Sequence, residues 1–140
     1  NILLHGVGVG AQRDGVEPRA ALDGFERWVA RSPLLAFHSD FDETLIRRAM
    51  RAVLGRALPN PWLDLARIAG VLRPDLPARS LDEWLAAFDL RCARRHQAAA
   101  DSYATAELLL RLWPALQAQR GGDDWAALRR LAAQRRWLPP

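Results

Sequence analysis

Leu34-Leu35-Ala36-Phe37-His38-Ser39-Asp40-Phe41-Asp42 is the stretch that decides the fold class of this chain. Its first four residues are an uninterrupted apolar run with Pro33 in front, the pattern of a buried strand. From Phe41 the period changes. Phe41, Leu45, Ala49 and Val53 recur every fourth residue, supported by Ile46, Met50 and Leu54, while Arg47, Arg48 and Arg51 take the opposite side. That spacing predicts a helix over Phe41–Leu54, and Gly55 supplies its stop. A buried strand feeding an amphipathic helix makes the chain α/β. Asp42 sits just past the carboxyl end of the strand, where α/β folds place their ligands. The position also has a plainer use. An acid in a helix's first turn is stabilised by the free N–H groups and the dipole there, and Asp40 and Glu43 compete for that role.

Upstream, Asn1 to Leu4 can end a strand or enter a loop, and His5-Gly6-Val7-Gly8-Val9-Gly10 holds too much glycine for a helix interior. No Gly-Lys-Ser/Thr follows, so this is not a phosphate-binding P-loop. Pro18 opens a helix whose apolar face is Leu22, Phe25 and Trp28 or Val29. Downstream, Pro59-Asn60-Pro61 is a turn and Trp62 to Val71 reads as a short helix. Ser80-Leu81-Asp82-Glu83 is a capping box opening a helix with Leu81, Leu85 and Phe88 as its buried stripe. A longer helix runs from about Ala99 toward Trp113, where Pro114 should kink or end it. Gly121-Gly122 reads as a linker. Asp123 or Asp124 then caps a last helix bearing Trp125, Leu128 and Leu131 on one side. The expected division is a domain over 1–120 and a basic helix over 121–140.

One strand does not make a stable sheet, which normally needs at least three with a covered face. The expectation is therefore the later, mostly helical part of an α/β domain whose early strands lie upstream. Asn1, where a methionine would otherwise stand, agrees with that expectation.

The chain has 140 residues, half of them apolar, enough to bury a core and too many for a disordered tail. No apolar run reaches the roughly 18 residues of a membrane span. Cys92 is the one cysteine, which excludes an internal disulfide and suits a reducing compartment such as the cytoplasm. All 20 basic residues are Arg, against 16 acids. Guanidinium forks onto phosphate, so this surface suits nucleic acid; a GC-rich coding sequence produces the same composition. The tail from Asp123 to Pro140 carries Arg129, Arg130, Arg135 and Arg136 with Trp125 and Trp137. It reads either as a backbone-tracking or partner-docking segment or as an amphipathic helix with a solvated basic face.

His96 and Asp101 are five residues apart, roughly 500° around an α-helix, so one continuous helix cannot point both at one site. Both converge if His96 lies in the preceding loop and Asp101 in the first turns. Asp101 shares its helix face with Thr105, Leu108 and Leu112. A partly buried acid there needs a partner, and a metal ion would serve. The plainer alternatives are a solvated loop histidine beside Arg94 and Arg95, and another acid at a helix N-terminus.

His38-Ser39-Asp40-Phe41-Asp42, and His96 with Asp101 followed by Thr105-Ala106-Glu107-Leu108, together resemble motifs two and three of the DEDDh 3′–5′ exonucleases, the family of the proofreading subunit of bacterial DNA polymerase III. Ser39 replaces the usual Asn. Trp62-Leu63-Asp64-Leu65-Ala66-Arg67 resembles that family's Asp-Thr-Leu-x-Leu-Ala-Arg segment, Ser80-Leu81 its Ser-Leu helix start, and His5-Gly6-Val7 its His-Gly-Ile loop. Gln97 stands where the sister subclass has Tyr, so the histidine subclass is indicated. The resemblance runs in order from about Leu4 to Leu116. It implies a ribonuclease-H-like fold and a 3′–5′ exonuclease working with two Mg²⁺ or Mn²⁺ ions on a single-stranded 3′ end, with a polymerase subunit as a partner. Asp42 and Asp101 would be metal ligands, His96 the general base, and His5, Gly6, Val7 and Phe41 contacts to the substrate. The family's first motif, Asp-x-Glu on the first strand, is absent from this sequence. The 140 residues alone are therefore expected to have little or no nuclease activity. The competing reading is a non-catalytic module on the same scaffold that binds nucleic acid or a polymerase; a plain helical interaction domain is the third.

Overall fold

A computed structural model describes residues 8–93, 96–119 and 122–134. The glycine-rich start is more helical than expected: a five-residue helix, α1, spans Val9–Arg13. Gly10 is tolerated because it falls in the first turn. Helix α2 spans Pro18–Val29 with Pro18 in its first turn and the Glu17 carboxylate accepting from the Ala20 N–H at 3.0 Å. Val29 is the buried member of the pair left open above, and Trp28 is 81% exposed. Ala30 ends α2 in a left-handed conformation, φ 46°. Buried Asn60 receives that end, its Nδ2 donating to the carbonyls of Ala30 and Ser32 at 3.1 and 2.7 Å.

Strand β1, Leu34–Ala36, is shorter than the apolar run, stops before Phe37, and is half-buried along its whole length. Helix α3 then spans Ser39–Ala49 and continues as a π-helical turn over Met50–Leu54. Gly55 stops it as expected, in the left-handed region at φ 68°. The apolar stripe is rotated from the expected one. Phe41 and Leu45 are 68% and 48% exposed, and Met50 is buried with Ile46 and Leu54 packed nearby. The wider π turn delivers both Met50 and Leu54 to the same core.

Trp62–Val71 divides where a single helix was expected: β2 spans Trp62–Asp64, and α4 spans Leu65–Leu72. The Asp64 carboxylate accepts the Ala66 N–H and so sets the helix start one residue later. β1 and β2 pair as a two-stranded parallel sheet. Helix α5, Leu81–Ala87, carries the full capping box between Ser80 and Glu83. Two backbone N–H groups, of Arg79 and Ser80, hold the Glu83 carboxyl below its ordinary range. Helix α6, Ala98–Gln117, runs through Pro114 instead of ending there. Leu112 and Leu116, buried on either side of the proline, keep the helix seated. Helix α7 spans Trp125–Gln134; of the two candidate caps, Asp124 accepts the Ala127 N–H at 2.8 Å, while Asp123 holds Gln117.

The chain divides into two units, Asn1–Leu34 with Asp40–Trp62, and Leu35–Ser39 with Leu63–Pro140. The first has a small core of Val29, Met50 and Leu58, reinforced outside by Arg56 paired with Asp23 and Glu26. The second is organised by α4, which packs on α6 and α7, while α5 packs on α6. Trp84, 1% exposed, is its largest fully buried side chain, with Leu65, Ile68, Leu108, Leu112 and Leu116 around it in one cluster. Leu128 and Leu131 of α7 belong to that cluster, so the last helix is part of the second unit's core.

Candidate active site

Asp42 lies in the first turn of α3 in the first unit. It is half-buried, and loss of water pushes its carboxyl above the ordinary range against the opposing pull of a backbone N–H. Phe41 beside it presents its ring to solvent.

His96 and Asp101 belong to the second unit, and the backbone brings them together as the sequence suggested. His96 is left-handed, φ 65°, in the loop before α6, and its N–H donates to Asp101 Oδ2 at 3.1 Å. The Cys92 thiol donates to Oδ1 at 3.7 Å. Asp101 is further held by its own N–H on the Gln97 carbonyl at 2.9 Å, and the Thr105 hydroxyl donates to the Asp101 carbonyl at 2.8 Å. Thr105, Leu108 and Leu112 are buried below it, which is the mostly apolar face expected. Asp101 is therefore ordered by local bonds, and the exposed His96 is attached to it through the main chain.

A second histidine turn went unrecognised in the sequence. His38 joins β1 to α3 with φ 59°, and its N–H donates to Asp64 Oδ1 at 3.0 Å across 26 residues of chain. The same oxygen accepts the Ala66 N–H at 2.9 Å, and Arg67 Nε stands 3.3 Å from Oδ2. Asp64 is only 8% exposed. The signal available was a lone acid inside the otherwise apolar Trp62-Leu63-Asp64-Leu65 run, and Cys92 gave none. His5, Gly6 and Val7 lie outside the described residues, as do Arg94, Arg95, Arg135, Arg136 and Trp137.

Asp42 and Asp101 are hard oxygen donors of the kind Mg²⁺ and Mn²⁺ prefer. Among the described residues, however, no group of three or more His, Cys, Asp or Glu side chains is placed to hold a metal ion. One of the two carboxylates also already holds two donors. This donor set does not fit a pair of ions, which needs a shared acid between them, and no hydrolytic step is assigned to it.

Comparison with known proteins agrees with the motifs. Residues 5–109 match the RNase T family, described as Exonuclease. A DNA polymerase III subunit epsilon-like protein of Rhodobacter capsulatus is 32% identical over 97 residues, which is 68% of this chain and 14% of that protein. PolC-type DNA polymerase III of Oceanobacillus iheyensis is 26% identical over 99 residues, 71% of this chain and 7% of that protein. The Bacillus subtilis PolC-type polymerase is 28% identical over 89 residues, 63% and 6% respectively. This chain thus corresponds to a small part of each relative's length. No solved structure matches it.

Proposed function

We propose that this chain, which belongs to the RNase T exonuclease family, is the later portion of a 3′–5′ exonuclease domain that acts on single-stranded nucleic-acid ends beside a polymerase in the cytoplasm. The observation that carries this reading is the His96–Asp101 arrangement: a loop histidine tied through its N–H to an acid opening a helix, within a stretch that matches the family. In this reading Asp101 and Asp42 would be ligands for Mg²⁺ or Mn²⁺ only once the missing acids are supplied, and the imidazole of His96 would then serve as the general base, since imidazole changes charge near neutral pH. His5, Gly6, Val7 and Phe41 would touch the terminal nucleotides. In a complete site such ions would supply charge stabilisation for phosphodiester hydrolysis. An Asp-x-Glu is needed to bridge them, and this sequence lacks it.

The expected result follows directly. With Mn²⁺ and a 3′-labelled single strand, the 140-residue chain produces little or no shortening; robust stepwise shortening overturns the claim of incompleteness. Joining a strand bearing Asp-x-Glu ahead of Asn1 is expected to restore Mn²⁺-dependent removal of 3′ nucleotides, abolished by Asp101→Asn. A joined chain that binds single strands and stays inactive, with Asp101→Asn without effect, would instead establish the non-catalytic module.

A further inference from the structure

We infer that Asp64 is a positioning residue that holds the His38 turn, where β1 has ended and α3 is about to begin. The inference rests on the function proposed above only for what it positions, since α3 carries Asp42. Four observations support it. Asp64 is a nearly fully buried carboxylate in a chain whose other candidate acids are partly exposed. Its Oδ1 accepts two backbone N–H groups from different elements, His38 from the β1–α3 turn and Ala66 from the start of α4. Its Oδ2 faces Arg67 at 3.3 Å, which offsets the burial of the charge. His38 meanwhile sits at φ 59°, a conformation unfavourable for a residue with a Cβ, so something outside the turn must hold it. A single carboxylate oxygen shared between a helix cap and a distant left-handed turn does this. An amide oxygen can accept the same two bonds without the charge, so the geometry makes the acceptor, and not the ionisation, the essential part.

The test compares Asp64→Ala, Asp64→Asn and Ser80→Ala in the full chain, following amide exchange of His38 by NMR. Asp64→Ala is expected to speed His38 exchange at least tenfold, and Asp64→Asn to restore protection to within threefold of the parent. Ser80→Ala uncaps α5 and is expected to leave His38 unchanged, which separates the clamp from a general loss of stability. Unchanged His38 exchange in Asp64→Ala, or loss of protection in Asp64→Asn equal to that in Asp64→Ala, overturns the clamp. Where Asp64→Ala fails to fold, Asp64→Ser takes its place: it keeps a helix-capping oxygen for Ala66 on a shorter side chain, so His38 exchange is expected to speed, and unchanged exchange overturns the clamp.

Discussion

Two histidine turns in the second unit look alike and are built differently. His38 and His96 are both left-handed, at φ 59° and 65°, and each gives its backbone N–H to an aspartate carboxylate, at 3.0 and 3.1 Å. The acid facing His96 is five residues ahead, half-buried, and held by neighbours of its own segment. The acid facing His38 is 26 residues ahead, buried, and shared with the cap of α4. A local clamp survives as long as its helix start does. A long-range clamp exists only once two separate segments have folded together, and it ties the His38 turn to the cap of α4. Both turns also hang from one core, because Phe37 and Cys92 pack against the same cluster.

The largest effect is expected where the two turns share support. Trp84→Ala should lower stability by about 3–5 kcal/mol in urea denaturation, the range for emptying a large aromatic site. It should speed exchange at both His38 and His96 amides, and protection retained at one turn alone would break the idea of a common core. Next comes the difference between the clamps. Asp64→Ala strands two backbone donors and should cost about 2–3 kcal/mol, against about 1 kcal/mol for the more exposed Asp101→Ala. Equal losses by the same assay would show that burial does not distinguish them.

Strain is a smaller quantity. Replacing either histidine by glycine removes the left-handed penalty but adds backbone freedom to the unfolded chain, so His38→Gly and His96→Gly should each raise stability by about 1 kcal/mol or less. A gain at only one of them, read from thermal melts, would identify the turn that carries real strain. Asp42 provides the smallest effect and the clearest sign. Burial raises its folded-state carboxyl above the unfolded value. Ionisation therefore costs stability: the cost is absent below the unfolded carboxylate range, appears as pH rises through it, and is complete above the folded value. Asp42→Asn should melt higher than the parent near pH 7 and lose that advantage toward pH 3. A parent that is more stable at pH 7 would mean that the helix N-terminus outweighs burial and that Asp42 is an ordinary helix-capping acid.

Much of this was legible because it was local. The Ser80–Glu83 box, the start of α2 at Pro18, the stop at Gly55 and the loop-then-helix placement of His96 and Asp101 each depend on a handful of adjacent residues whose backbone groups have few alternative partners. The order of motifs carried the family for a related reason, since it reads spacing along the chain and needs no contacts.

The rest required the folded chain. Helical periodicity located α3 but not the face it buries, because Phe41–Leu45 and Ile46–Met50 are both acceptable stripes until a core chooses between them, and the π turn shifts that choice. Trp62–Asp64 read as helix because three residues are too few to show a period of their own; pairing with β1 made it a strand. Pro114 read as a kink or a helix end because its cost is local, whereas the burial of Leu112 and Leu116 that lets the helix continue is not. The His38–Asp64 bond is the clearest instance. Nothing near His38 in the chain announces an acceptor, and only folding, by removing water from the carboxylate, leaves that distant N–H as one of the few donors within its reach.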